Sequence, residues 1–424
     1  TSNNAVLVNA TDIGFSETID NDAKLTKLNS VAGVGSASVS GTVSSTPTLI
    51  ASRTNLGTGD NLTITLTDDA SLSQFATIKG YTSQSTIAFS NSKGLSDALS
   101  DFISSEQKTQ NYETAKTGTV DAPITLSAIT TSVSNLKDLN ALLSDNEGGV
   151  TATLNPANNN ADALSAITAT DNGSALNLTA GSGNSLTVNV GTQATDDTKI
   201  SRLNTLIGQA GVSSVTGSLT SVTVTQATTI TSGQSKVAVG LALDSTAPSV
   251  SEGAAIAGRT TGTVSFGSGI SDQLSSFASN SAVSDDMQTI VAEDDAVTIS
   301  ITDTSIDLSN DIQKINNLAT YSSNGNSIGA ITATVTGTNS EVNNLSTSDA
   351  RSDAIAITVE DQTARNVATS ILGKTVNSTI DFSAGGIIGS LNSGNSNSLT
   401  SGGAINTETK NIIAHDPDIK IEIN

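Results

Sequence analysis

The sequence predicts a β-rich α/β fold built of tandem strand–helix–strand units in an elongated body. Three observations predict it. A short amphipathic phrase recurs, Thr-rich alternating stretches lie between its copies, and the copies keep one offset. The phrase is clearest at Leu136-Lys-Asp-Leu139-Asn140-Ala-Leu142. It returns at Leu25, Leu28, Asn29 and Val31, at Ile200, Leu203, Asn204 and Leu206, and at Ile312, Ile315, Asn316 and Leu318. Leu72, Phe75, Ala76 and Ile78 keep the spacing without the Asn. Apolar residues at i, i+3 and i+6 line one side of a helix.

Leu25 and Ile200 lie 175 positions apart, as do Phe102 and Phe277, and Leu136 and Ile312 lie 176 apart. Independent motifs would not share an offset, so the expectation is a tandem duplication with a partial third copy. Residues 1–175 form the first block, 176–350 the second and 351–391 the partial third. Each block would divide into smaller units of roughly 45 to 65 residues. A Ser/Gly/Asn-rich stretch, 392–410, reads as a flexible linker, and 411–424 as a C-terminal strand. The competing arrangement is α+β or all-β globular domains in series, since about 175 residues can bury a core of their own.

In chain order, Ala5–Ala10 reads as a strand and Gly33–Gly41 as a second. Asn61-Leu-Thr-Ile-Thr-Leu-Thr67 alternates strictly, as a half-buried strand does. Leu186–Val190, Val237–Leu243, Val297–Ile301 and Ile355–Val359 read likewise. Most are followed by an acid (Asp68, Asp196, Asp244, Asp303, Glu360) placed to cap the next helix. Ser85–Ser90, Thr263–Phe266 and Ser378–Ser383 read as strands running into helix phrases at Gly94–Phe102, Gly269–Phe277 and Gly385–Leu391. Five of the seven Phe fall in this motif and are expected as core anchors. Glu106–Thr119 reads as a polar linker or loop, and Ile419-Lys-Ile421-Glu-Ile423 alternates as an edge strand after Pro417.

Composition narrows the function classes. Aromatics make up 2 %, Trp and Cys are absent, and charged residues are 14 %, so Ser, Thr, Asn and Gly supply the surface polarity. A net charge of −22 disfavours nucleic acid, which needs clustered Lys and Arg. No apolar run suits membrane insertion. Disulfides and thiolate metal sites are excluded. The chain opens at Thr1 without Met, as a processed exported form or a trimmed chain would.

Catalytic signatures are scarce, and no enzyme activity is expected. The single His, His415, stands beside Asp416 and Asp418 near the end, and no nucleophile elbow, phosphate loop or dinucleotide fingerprint accompanies it. No cofactor is expected except calcium. Asp68 and Asp69, and Asp303 and Asp307, place hard oxygen ligands in turns, while solvated acids and helix caps are the plainer reading. Asn9, Asn61, Asn172, Asn177, Asn344 and Asn377 head Asn-x-Ser/Thr sequons. The Asn of the helix phrase is expected to tie helix to turn by a hydrogen bond.

The phrase Leu136-Lys-Asp-Leu-Asn-Ala-Leu, with the strands Gly149-Val-Thr-Ala-Thr-Leu and Ile331-Thr-Ala-Thr-Val-Thr-Gly-Thr338, resembles the repeat regions of very large secreted bacterial surface proteins, especially those of marine cyanobacteria. The resemblance covers most of residues 20 to 391 in degenerate form. It implies adhesion, a surface coat or an extracellular filament. The leading expectation is therefore a secreted structural or adhesive protein at the cell surface that self-assembles. Its partners would be copies of itself, with Ile419, Ile421 and Ile423 completing a neighbour's sheet by strand addition. Cell-surface glycans are a further partner class. A viral or phage fibre or decoration protein is the alternative, and a glycan-binding module a second one, disfavoured by the shortage of Trp and Tyr.

Overall fold

The computed structural model describes residues 7–9, 18–34, 38–84, 86–119, 122–156, 164, 170–171, 174–175, 178, 183–231, 236–243, 246–376, 380–392 and 394–424. The sequons at Asn172, Asn177 and Asn377 and the acid Asp244 lie outside these residues. The chain forms two compact units. The first comprises Thr1–Gln193, Asp197–Ser218 and Ser235–Ala238, the second Ala194–Asp196, Leu219–Gln234 and Val239–Asn424. Both are mixed α/β, with mostly parallel strand pairing.

In the first unit, Leu7–Asn9, Ser38–Ser45, Asn61–Leu66 and Ala88–Phe89 pair in sequence order, all parallel. A second parallel series runs Leu95–Asp97, Ile124–Leu126, Val150–Asn155 and Ser185–Ala194. Parallel neighbours need a crossover, and here helices supply it. Between Asn61–Leu66 and Ala88–Phe89 lies the helix Leu72–Lys79. Ser71 and Gln74 open it with a reciprocal capping box, and it buries Leu72, Phe75 and Ile78. The alternating strand turns Leu62, Ile64 and Leu66 inward against it, each at most 1 % exposed. Helix Val133–Asp145 buries Leu136, Leu139, Leu142 and Leu143, so the recurrent phrase is core, as expected.

The second unit repeats the scheme. Ile270–Asp272, Val297–Ile301, Asn326–Gly337, Ala354–Val359 and Ile380–Asp381 pair in order and in parallel. Thr363–Ala364, Ile387–Gly389 and Ile421–Ile423 form a further parallel series.

Several expectations need correction. Paired neighbours are separated by 21 residues (Ser40 to Asn61) to 34 (Ile387 to Ile421), shorter than the expected subunits. One strand and one helix return the chain to the next rung; no second strand is needed. Glu106–Thr119 is not a linker. A tight hairpin, Ile103–Ser104 with Gln107–Lys108, leads into the helix Gln110–Gly118, which buries Tyr112, Ala115 and Gly118.

The phrases Gly94–Phe102 and Gly269–Phe277 are not single helices. Each begins with a three-residue strand, Leu95–Asp97 or Ile270–Asp272, followed by a four-residue helix ending in Phe102 or Phe277. The reason lies in the preceding glycine. A Cβ at Gly94 would stand 1.9 Å from the Pro123 carbonyl oxygen, and Gly269, at φ +71°, would meet the Thr298 oxygen at 2.5 Å. Backbone approaches backbone there, in register with the neighbouring parallel strand, and glycine leaves the room for it. Gly385–Leu391 likewise gives a strand, Ile387–Gly389. As expected, Phe102, Phe277 and Phe382 are fully buried and Phe266 nearly so; Phe89 is half-buried, stacked on Phe75 at 5.9 Å.

The expected linker 392–410 carries structure as well. The hairpin Thr400–Ser401 with Ala404–Ile405 leads into the helix Thr407–His415, capped by the Asn406 side chain. Residues 411–415 are therefore helix rather than strand.

Candidate functional site

The last strand, Ile421–Ile423, is the feature most open to a partner. One edge pairs with Ile387–Gly389 in the register Ile387↔Ile421 and Gly389↔Ile423. The strand is thus docked on its own chain, not held out on a tether as the sequence suggested. It ends its series, so its other edge meets no further strand among the described residues. Ile421 is 38 % and Ile423 60 % exposed. Ile419 stands outside the strand, half-buried, its N–H donating to the Asp416 carbonyl. Leu391 and Ile405, on the segments flanking this rung, are also exposed. Four of the seven exposed large apolar side chains among the described residues therefore fall after residue 390.

The acids singled out from sequence sit at strand ends but act on the backbone. Asp68 pairs with Lys93 at 2.8 Å, and the Lys93 hydrogen bond holds its carboxyl below the usual range. Asp69 accepts the Gly94 N–H at 3.0 Å. Asp303 accepts the Leu274 N–H at 2.6 Å. Asp307 caps the helix Leu308–Ala319, accepting from the Ser309 N–H at 2.9 Å and from its hydroxyl; that hydroxyl bond lowers its pKa. Asp68 and Asp69 share Lys93, whereas Asp303 and Asp307 have separate partners. Among the described residues no three acidic or imidazole groups converge as a metal site would require.

What sequence reading missed is the reach of these bonds. Asp97 accepts the N–H of Leu72, Asp272 that of Val250, Asp303 that of Leu274 and Asp361 that of Asn339. In each case a carboxylate 22 to 29 residues downstream satisfies the first free N–H of a helix. Buried Asp60 and Asp353 repeat a second pattern. Asp60 accepts from Val39 and Gly57, and Asp353 from Ile331 and Ser348. The recurrent spacing of acids after strands was the available signal; their target on the preceding rung was not.

Two of the phrase asparagines tie helix to turn. Asn29 accepts the Asn55 N–H at 2.9 Å, and Asn316 both donates to the Asn344 carbonyl and accepts the Ser346 N–H. His415 closes the helix Thr407–His415, its Nδ1 2.8 Å from the Asn411 carbonyl oxygen. Of the described sequons, Asn61 and Asn344 are exposed. No family model, curated protein or solved structure matches the chain.

Proposed function

We propose that the chain is a tandem-repeat structural or adhesive protein of the cell exterior, which joins copies of itself into a filament or surface coat. The observation that carries this reading is the strand Ile421–Ile423, apolar, exposed and, among the described residues, paired on one edge only. Unpaired strand edges template further strands, and soluble proteins ordinarily blunt them with charge or cover. Here Glu422 is the single charge within the strand. In the first unit Leu7–Asn9 is likewise an edge strand, paired only with Ser38–Ser40 among the described residues. An edge strand that pairs with a different strand of the next copy makes a heterologous contact, which extends rather than closes.

Recurrence supports the repeat assignment. The strand, four-residue helix and longer helix at Leu95, Leu99 and Gln110 return at Ile270, Leu274 and Asp285, 175 positions on. The Thr/Ser/Asn-rich, cysteine-free composition supports an extracellular setting.

Negative-stain microscopy and sedimentation velocity of the full chain and of Ile421→Lys/Ile423→Lys test the reading. Polymers from the parent chain and monomers from the variant are expected. Discrete trimers, or polymers that survive both lysines, would overturn it.

A further inference from the structure

The strand Ile421–Ile423 is attached to its own rung by backbone rather than by buried side chains. Between Pro417 and Asn424 no residue is buried: Ile419 is half-buried and the rest are exposed. By contrast Ile387, its partner in register, is 0 % exposed, and the strand Ala354–Val359 buries every second side chain. What holds the strand is a short set of bonds. The Ile387 N–H donates to the Lys420 carbonyl at 2.8 Å and the Asn424 N–H to the Gly389 carbonyl at 3.0 Å. On the surface the Gln362 amide donates to Glu422 at 2.6 Å. Segments with few buried apolar groups and exposed hydrogen bonds open locally at the least cost.

The chain is anchored as far as Asp416 and lightly held beyond it. Asp416 is 8 % exposed and accepts the Phe382 N–H at 2.8 Å, and the helix Thr407–His415 before it buries Thr409 and Ile412. After it comes a turn closed by the Ile419 N–H on the Asp416 carbonyl at 3.3 Å, with Pro417 and Asp418 exposed. Opening that one turn frees the strand and leaves the buried groups of the helix in place. Extended, the segment from Asp416 to Ile421 spans about 17 Å. That is more than three interstrand spacings of about 4.8 Å, enough to reach an abutting copy.

The place the strand occupies is shaped for its backbone. A Cβ at Gly386, whose φ is +69°, would stand 2.4 Å from the Lys420 carbonyl oxygen, so the slot admits main chain at close approach. Once vacated, the edge Ile387–Gly389 must regain partners for its N–H and C=O groups. The strand that fits it is present in every copy. A second copy's strand restores the same hydrogen bonds in the same register, which makes exchange of an identical element a low-cost route to association.

We propose that copies join by strand exchange: residues 417–424 of one chain swing out at the Asp416–Ile419 turn and pair in parallel with Ile387–Gly389 of another. This rests on the reading of a self-joining chain and names the surface that receives the strand.

Cysteine pairing reads which chain the strand lies on, because the chain has no cysteine of its own. Ile388 and Glu422 stand opposite in register, at an interstrand spacing of about 4.8 Å that a disulfide tolerates. The full chain carrying Ile388→Cys/Glu422→Cys is assembled and then oxidised. Denaturing gels without reductant should show a ladder of linked multimers. In a second arm, chains carrying only Ile388→Cys are mixed with chains carrying only Glu422→Cys, assembled and oxidised. Each has one thiol, so a bridge between positions 388 and 422 forms only between copies, and peptide mapping should find it. Polymers whose double variant runs wholly as monomer bridged within itself, with no such bridge in the mixture, would overturn strand exchange and leave self-joining intact. A parent chain that stays monomeric would overturn both.

Discussion

Asp361 accepts the backbone N–H of Asn339 at 2.6 Å while its other oxygen takes the Asn339 side-chain amide, so one carboxylate holds the start of a helix 22 residues earlier in the chain. Asp97 and Asp272 do the same for Leu72 and Val250. Where a helix also has its own capping box, as at Ser249 and Glu252, the two devices share the work: the box serves the third N–H and the distant Asp the first. Asp272→Ala should therefore cost about 1 kcal/mol in urea unfolding, within the range for lost caps. Adding Ser249→Ala should cost more than the two single losses predict separately if both act on one helix end.

Asp353 is fully buried and accepts two backbone N–H groups, from Ile331 and Ser348. Asp353→Ala strands both donors and should cost about 2–4 kcal/mol. Asp353→Asn, which retains one acceptor, should cost less. Chemical denaturation of the two variants checks the order.

Gly269→Ala should destabilise by about 1–3 kcal/mol, since its φ is +71° and the new methyl would meet the Thr298 oxygen at 2.5 Å. Gly57→Ala is the control, because nothing lies within 4 Å of a Cβ there. Its melting temperature should match the parent or exceed it slightly.

The pairing of Asp145 with two lysines makes stability depend on acid. Its folded-state pKa is lowered, so the contribution is present above the unfolded carboxyl value, about 3.9. It is lost as pH falls through the folded value. The parent should lose melting temperature more steeply below about pH 4 than Lys108→Met/Lys116→Met, whose Asp145 gains nothing from ionising. Parallel melts across that range decide it.

Leu139→Ala, in the best copy of the recurrent phrase, should cost about 2–5 kcal/mol because the side chain is fully buried. Ile423→Lys should leave the unfolding free energy in urea within about 0.5 kcal/mol of the parent, since its side chain is largely exposed. A large loss from the latter would show that the edge is covered within the chain.

Much of the fold was legible because the core speaks through branched side chains. Asn61–Leu66 and Val297–Ile301 alternate Leu, Ile and Val with polar residues, and both are strands with those side chains buried. Helix Val133–Asp145 carries Leu at each inward place. The helix Gln110–Gly118 was illegible because its inward residues are Tyr112, Ala115 and Gly118, two of them too small to mark a face. The segment after residue 391 misled for a related reason. Its Gly, Ser and Asn residues make turns, with the Asn392 and Asn395 side chains accepting from the backbone N–H two residues on, and such composition reads as slack in a sequence. The candidate edge was visible as alternating Ile; its docking on Ile387–Gly389 was not, because a parallel partner 34 residues away leaves no local trace.

The carboxylates that finish one helix start arrive late in the chain, 22 to 29 residues after the N–H groups they satisfy. For a polypeptide made from its N-terminus, each rung would wait, with its first donor hydrated, until the following rung has been synthesised. Maturation would then run in one direction along the molecule, a step behind synthesis.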